Sequence, residues 1–310
     1  MSNLVQRAIT GALFAIVVLG SILWGPYAQA IVFSGFMVLG LLEFYNLFKE
    51  HSIVQVSREI GVFIGLFIFI LLVGYSLTWL PIISVLIIFP LFFTLILAEL
   101  WRKKEHPLIN ISVLVFGIIY VVLPFWLTID LNLRETDNNF MPLVIGMYLL
   151  IWTNDTFAYF TGRKLGKHKL FERISPKKTW EGTIGGLFFT VLLGFIIGAY
   201  INQGEILFWV ISAVIIAPCA IFGDLLESLF KRSLGIKDSG TILPGHGGVL
   251  DRFDAALFAI PFFVENKKHF TREIIFLSSI TIISFCICIF GGSEHTSWQQ
   301  ISEEQYISNF

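Results

Sequence analysis

The chain has 310 residues, of which only 14% are charged: 21 Lys and Arg against 22 Asp and Glu, a formal net charge of -1. Soluble domains carry about 25%. With 56% hydrophobic residues, 32 Phe and 8 Trp, there is more apolar surface than one soluble core can bury. This excludes a soluble globular enzyme, a disordered chain and a collagen-like one, and the lack of a basic excess excludes a nucleic-acid binder.

Taken in chain order, apolar stretches long enough to cross a bilayer core of roughly 30 Å predict helices at 8–24, 28–48, 60–77, 79–98, 109–129, 142–161, 183–201, 206–230 and 273–290. A shorter run, 255–264, contains Pro261 and either crosses or dips in and returns, so nine to ten crossings are expected. Arg7, an apolar run and Ala28-Gln29-Ala30 imitate a cleavable signal, but the Trp24-Gly25-Pro26 turn leads straight into another span and favours a retained helical hairpin. With the N-terminus in the cytoplasm, 17 of the 21 basic residues fall on the cytoplasmic side if 255–264 crosses, and 20 if it re-enters, as the positive-inside rule requires. The expected fold class is an all-α integral membrane protein. It is a polytopic bundle in the cell inner membrane, with its two longest polar loops and its polar site facing the cytoplasm. Residues 1–140 are expected to form scaffold and lipid-facing helices, 141–290 the catalytic region, and 291–310 a polar tail. Cys219, Cys286 and Cys288 all lie in apolar runs and fit neither a disulfide framework nor a zinc site.

Two regions break the hydrophobic pattern. The first runs from Asp155, inside a span where a charge costs at least ~2.5 kcal/mol and demands a partner, a cavity or a cation. It continues through Tyr159 and a basic loop to Ser175-Pro176-Lys177-Lys178-Thr179-Trp180-Glu181-Gly182. The Ser175 and Thr179 hydroxyls, two lysines and a helix start make a candidate anion site. In the second region Asp224, Glu227 and Ser228 share one helical face, followed by Lys231 and Arg232, Lys237-Asp238, Gly245-His246-Gly247-Gly248 and Asp251-Arg252-Phe253-Asp254. Asp251 and Asp254 are again three apart. Carboxylates from two helix ends across a glycine turn suit a hard cation such as Mg²⁺ that keeps open positions for phosphate oxygens. The glycines permit positive φ and a close backbone approach to phosphate. Structural ion pairs, or a proton or cation pathway, are the competing readings of the same acids, and His246 taken alone reads as a structural hydrogen-bonder. Glu43 and Glu99, toward the cytoplasmic ends of spans, read as structural.

From Ser228 to Asp254 the polar residues resemble, position for position, the signature of the phosphatidate cytidylyltransferases, or CDP-diacylglycerol synthases. The match takes in Ser228-Leu229-Phe230-Lys231-Arg232, Lys237-Asp238, Gly240, Leu243-Pro244, His246-Gly247-Gly248 and Asp251-Arg252-Phe253-Asp254. The upstream order Asp155, Tyr159, Gly162-Arg163, Gly166-Lys167 and Ser175 to Gly182 is similar to that family too. The resemblance implies transfer of a cytidylyl group from CTP to phosphatidic acid with release of pyrophosphate. It also implies Mg²⁺, with room for a second cation, held by Asp224, Asp251 and Asp254. On that reading Lys231, Arg232, Lys237 and Arg252 clamp the lipid phosphate or pyrophosphate, and Ser175, Lys177 and Lys178 serve the triphosphate. Asp155, Ser228, His246, Gly247 and Gly248 complete the substrate site. The partners are then CTP, phosphatidic acid and the bilayer; a homodimer stays open. Two alternatives are a CTP-dependent polyprenol kinase, which would release CDP, and an ion transporter, which would turn over no nucleotide.

Overall fold

Helix α1 (Asn3–Trp24) stops at Gly25, whose φ of 122° strains any residue with a Cβ. Pro26 opens α2 (Pro26–Asn46) from the first-turn position where its missing N–H costs nothing. The expected N-terminal helical hairpin is therefore present. The computed structural model describes residues 3–48, 54–133, 141–202, 204–235 and 247–271. Residues 1–264 form one unit and 265–310 a second, of which only the end of one helix is described.

Helix α3 (Arg58–Ser76) is followed by a 3₁₀ turn, Ile82–Ile87, that runs into α4 (Ile88–Arg102). Helix α5 (Pro107–Gly117) passes through a π-helical turn at Ile118–Val122 into α6 (Leu123–Leu133), so the three form one span of 27 residues. Helix α7 (Leu143–Leu165) leads to an antiparallel hairpin of β1 (Lys169–Phe171) and β2 (Ser175–Thr179). The basic loop expected here from the sequence is thus a short hairpin. Helix α8 (Trp180–Ile196), with a second π turn at Ile197–Ile201, then α9 (Ile206–Ser233) and α10 (Leu250–Thr271) complete the described fold.

Among the described residues seven helical stretches are long and apolar enough to cross a membrane, and Ile9–Trp24 is a shorter apolar helix. The chain is an all-α, multi-pass membrane protein. The predicted span 273–290 lies outside the described residues, as do Cys286 and Cys288. The segment 255–264 belongs to one uninterrupted helix, with Pro261 inside α10.

Two packing features fix where α10 begins. Phe253, 1% exposed, lies between Asp251 and Asp254 and sits in a nest of rings from three other helices. Its centroid is 5.2 Å from Phe14 of α1, 5.2 Å from Phe36 and 6.2 Å from Phe33 of α2, and 4.9 Å from Phe125 of α6. Such pairs add about 0.5–1.5 kcal/mol each beyond burial. On the other side α9 crosses α10 at Gly223, where a Cβ would stand 2.5 Å from the Asp254 carbonyl oxygen and 2.9 Å from the Ala255 Cα. The two backbones touch there because residue 223 has no side chain.

Gly223→Val should therefore lower the melting temperature of the detergent-solubilised protein, by the ~1–3 kcal/mol typical of overpacking, whereas Gly20→Val, which meets nothing within 4 Å, should leave it unchanged. Equal melting curves for the two variants would contradict the close crossing.

Candidate functional site

The start of α10 is built from carboxylates that meet backbone N–H groups. Gly247 has φ 81°, and a Cβ there would lie 2.5 Å from Asp251 Oδ2, so glycine lets that carboxylate fold back over the turn. The Gly248 N–H then donates to Asp251 Oδ2 at 2.8 Å. The next two N–H groups, of Val249 and Leu250, donate to Glu43 Oε1 and Oε2 at 2.9 and 2.7 Å. Glu43 comes from α2, is 2% exposed, and places negative charge where the helix dipole favours it.

Helix α9 contributes a polar face. Ser228 Oγ donates to Asp224 Oδ1 at 3.2 Å, one helical turn away. Lys231 Nζ lies 3.4 Å from Glu227 Oε1 on its own helix and donates to Asp251 Oδ1 of α10 at 2.6 Å. From the hairpin, Lys178 Nζ reaches Asp224 Oδ2 at 2.7 Å and the Ile221 carbonyl at 3.3 Å. Asp155 of α7 lies in the electrostatic field of both Lys178 and Asp224. It lines a cavity of about 290 Å³ together with Asp251, Arg252, Asp254 and the rings of Phe14 and Trp152.

The structure thus gathers Asp155, Lys178, Asp224, Ser228, Lys231, Gly247, Gly248, Asp251, Arg252 and Asp254 at one place. It does not gather all of the anion-site candidates. Lys178 points at Asp224, whereas its neighbours Pro176 and Lys177 are exposed; β2 pairs irregularly with β1 across these residues, so simple alternation does not set their sides, and Ser175 at the start of the strand is half-buried. Thr179, expected as an anion ligand, is 7% exposed and caps α8 instead, accepting from the Gly182 N–H at 3.2 Å. Arg232 is exposed at the end of α9. Lys237 and His246 lie outside the described residues.

Sequence reasoning gave Glu43 a structural role without its partner, because nothing in the chain links it to backbone 206 residues away. Glu227, on the Asp224 face, carries no role that the sequence alone assigns. It is fully buried, and neither carboxylate oxygen has a hydrogen-bond partner. Five carboxylates, Asp155, Asp224, Glu227, Asp251 and Asp254, therefore face Lys178, Lys231 and Arg252. A cluster of acids in a low-dielectric bundle is neutralised by protonation or by a further cation. The donor set fits a hard divalent ion in chemistry, since it is all carboxylate oxygen. Among the described residues no three acidic or imidazole groups are drawn together into a metal-holding group; Asp224 and Asp251 are held by lysine ammonium groups.

A profile of the cytidylyltransferase family matches residues 5–267. The chain belongs to that family. Three curated relatives carry the name phosphatidate cytidylyltransferase. One from Staphylococcus saprophyticus is 33% identical over 228 residues, covering 73% of this chain and 84% of the relative. One from Staphylococcus aureus is 31% identical over 259 residues, covering 82% and 95%, and one from Haemophilus influenzae is 34% identical over 266 residues, covering 81% and 87%. The cytidylyltransferase match takes in α1 to α6, where the sequence offered no motif, and these are the helices that hold Glu43 and the Phe253 nest.

Glu43→Ala removes the acceptor of two buried N–H groups and should destabilise the protein by about 2–3 kcal/mol, read as a lowered melting temperature. Glu43→Gln, which keeps one acceptor oxygen, should recover about half of the loss. A Glu43→Ala protein as stable as the parent would remove this contact from the account.

Proposed function

We propose that this chain transfers the cytidylyl group of CTP to phosphatidate, giving CDP-diacylglycerol and pyrophosphate for phospholipid synthesis, at the cytoplasmic face of the cell inner membrane. The carrying observation is the convergence of Lys178, Lys231 and Arg252 on a carboxylate cluster at the ends of α9 and α10, in a chain of the cytidylyltransferase family. The positive-inside count supports the orientation.

The chemistry needs little proton transfer. A phosphatidate oxygen, ionised at neutral pH, forms a bond to the α-phosphorus of CTP. The bond from that phosphorus to the α,β-bridging oxygen breaks, and its electron pair leaves with pyrophosphate. Catalysis is then a matter of holding two polyanions in line and neutralising charge as it builds. Lys178 and Lys231, now paired with Asp224 and Asp251, are placed to exchange those partners for phosphate oxygens. Arg252, on the cavity wall, supplies a planar fork of donors suited to phosphate. Gly247 and Gly248 let the backbone come close to the same oxygens, and Asp155 and Ser228 border the substrate space.

Asp224, Asp251 and Asp254 would hold Mg²⁺, whose positive charge would offset the repulsion between the lipid phosphate and the triphosphate. Lys237 and His246, from the glycine-rich segment, and Ser175 and Lys177, from the hairpin, are proposed to act on the same substrates.

Asp254→Asn keeps the shape of the side chain and removes its charge. In membranes containing the variant, CTP-dependent CDP-diacylglycerol formation should fall by about 10²- to 10³-fold. Turnover near that of the parent at limiting Mg²⁺ would remove Asp254 from the site.

A further inference from the structure

A second concavity lies beside the carboxylate cluster. It is an apolar groove of about 610 Å³ between α2, α5 and α9, lined by Phe44, Ile109, Val113, Phe116, Phe230 and Ser233 among others, and among the described residues no charged side chain lines it. Two of its lining residues are chain neighbours of residues at the site. Phe230 directly precedes Lys231, the residue bound to Asp251, and Phe44 directly follows Glu43, the residue that caps α10.

Between groove and cluster stands Tyr120. Its ring packs on three of the groove residues, with centroids 6.1 Å from Phe44, 5.6 Å from Phe116 and 5.9 Å from Phe230. Its hydroxyl is buried, has no hydrogen-bond partner, and lies in the field of Glu227, Asp254 and Asp224. A buried phenol normally finds an acceptor. Tyr120 is also the central residue of the π turn Ile118–Val122, and such one-turn irregularities recur at functional sites. One side of this tyrosine is hydrocarbon and the other is a phosphate-handling site, so a molecule that spans it must have an apolar tail and an anionic head.

We propose that the α2/α5/α9 groove holds an acyl chain of the phosphatidate substrate, with the polar end of that lipid passing Tyr120 to reach Lys231 and Arg252. The assignment rests on the proposed cytidylyl transfer for the identity of the lipid. The groove requires only that the lipid bind, so the two can fail separately.

The test is photolabelling without CTP. The purified full-length protein is reconstituted in phosphatidylcholine vesicles containing phosphatidate with a diazirine on one acyl chain, irradiated, and digested for mass spectrometry. Adducts should fall on the peptides carrying Val113, Phe116 and Phe230. A tenfold excess of unlabelled dipalmitoyl phosphatidate should reduce them about tenfold, as competition at equal affinity dictates, and the same excess of phosphatidylcholine should not. Val113→Trp, which fills the groove, should abolish the competable adducts while the melting temperature stays near that of the parent. Competable adducts on α1 or α7 peptides, beside Ala15 and Trp152 in the cavity of Asp155, would overturn the proposal. So would groove adducts that phosphatidylcholine displaces equally well. If groove labelling is competable but no CDP-diacylglycerol forms on adding CTP, the groove stands and the proposed reaction fails.

Discussion

The Lys231 ammonium is the joint on which the site depends. It is 2.6 Å from Asp251 and 3.4 Å from Glu227, so a single cation ties the end of α9 to the start of α10 and offsets a carboxylate that is fully buried. Removing one partner from a buried ion pair typically costs about 3–5 kcal/mol, because the other charge is left uncompensated. Lys178 repeats the device from the hairpin to Asp224. The two lysines tie the acids of α9 to the start of α10 and to the hairpin.

Holding two helix ends by charge works only if the backbones are already fixed, and apolar packing does that. Gly223 lets α9 touch α10 at the level of Asp254, and Phe253 anchors α10 among rings from α1, α2 and α6. Glu43 completes the arrangement by taking two of the first N–H groups of α10. The N-terminal helices are thus part of the framework that aims Asp251 and Asp254. A cytidylyltransferase needs such rigidity, since its catalysis consists largely of positioning phosphates.

Much of this was legible in the sequence, and the reasons are specific. The spans follow from apolar length alone. Asp224, Glu227 and Ser228 could be put on one face because helical spacing is fixed, and the Gly-rich turn announced the positive φ that Gly247 adopts. What could not be read was any contact across sequence distance: Glu43 to Val249, Phe14 to Phe253, Tyr120 to the acids of α9 and α10. The hairpin was missed because Lys169–Phe171 and Ser175–Thr179 are short and polar, without the alternation that marks a strand. Without it Lys177 and Lys178 look equivalent, although one is exposed and the other is bound to Asp224.

The central claim is that this carboxylate and lysine cluster moves the α-phosphorus of CTP onto a lipid. The most direct measurement supplies the purified protein with phosphatidate, Mg²⁺ and CTP labelled either in the α- or in the γ-phosphate, then extracts the lipid. Label from the α position should enter the lipid while label from the γ position leaves in pyrophosphate. Label from the γ position in the lipid, or no consumption of CTP at all, would contradict the account.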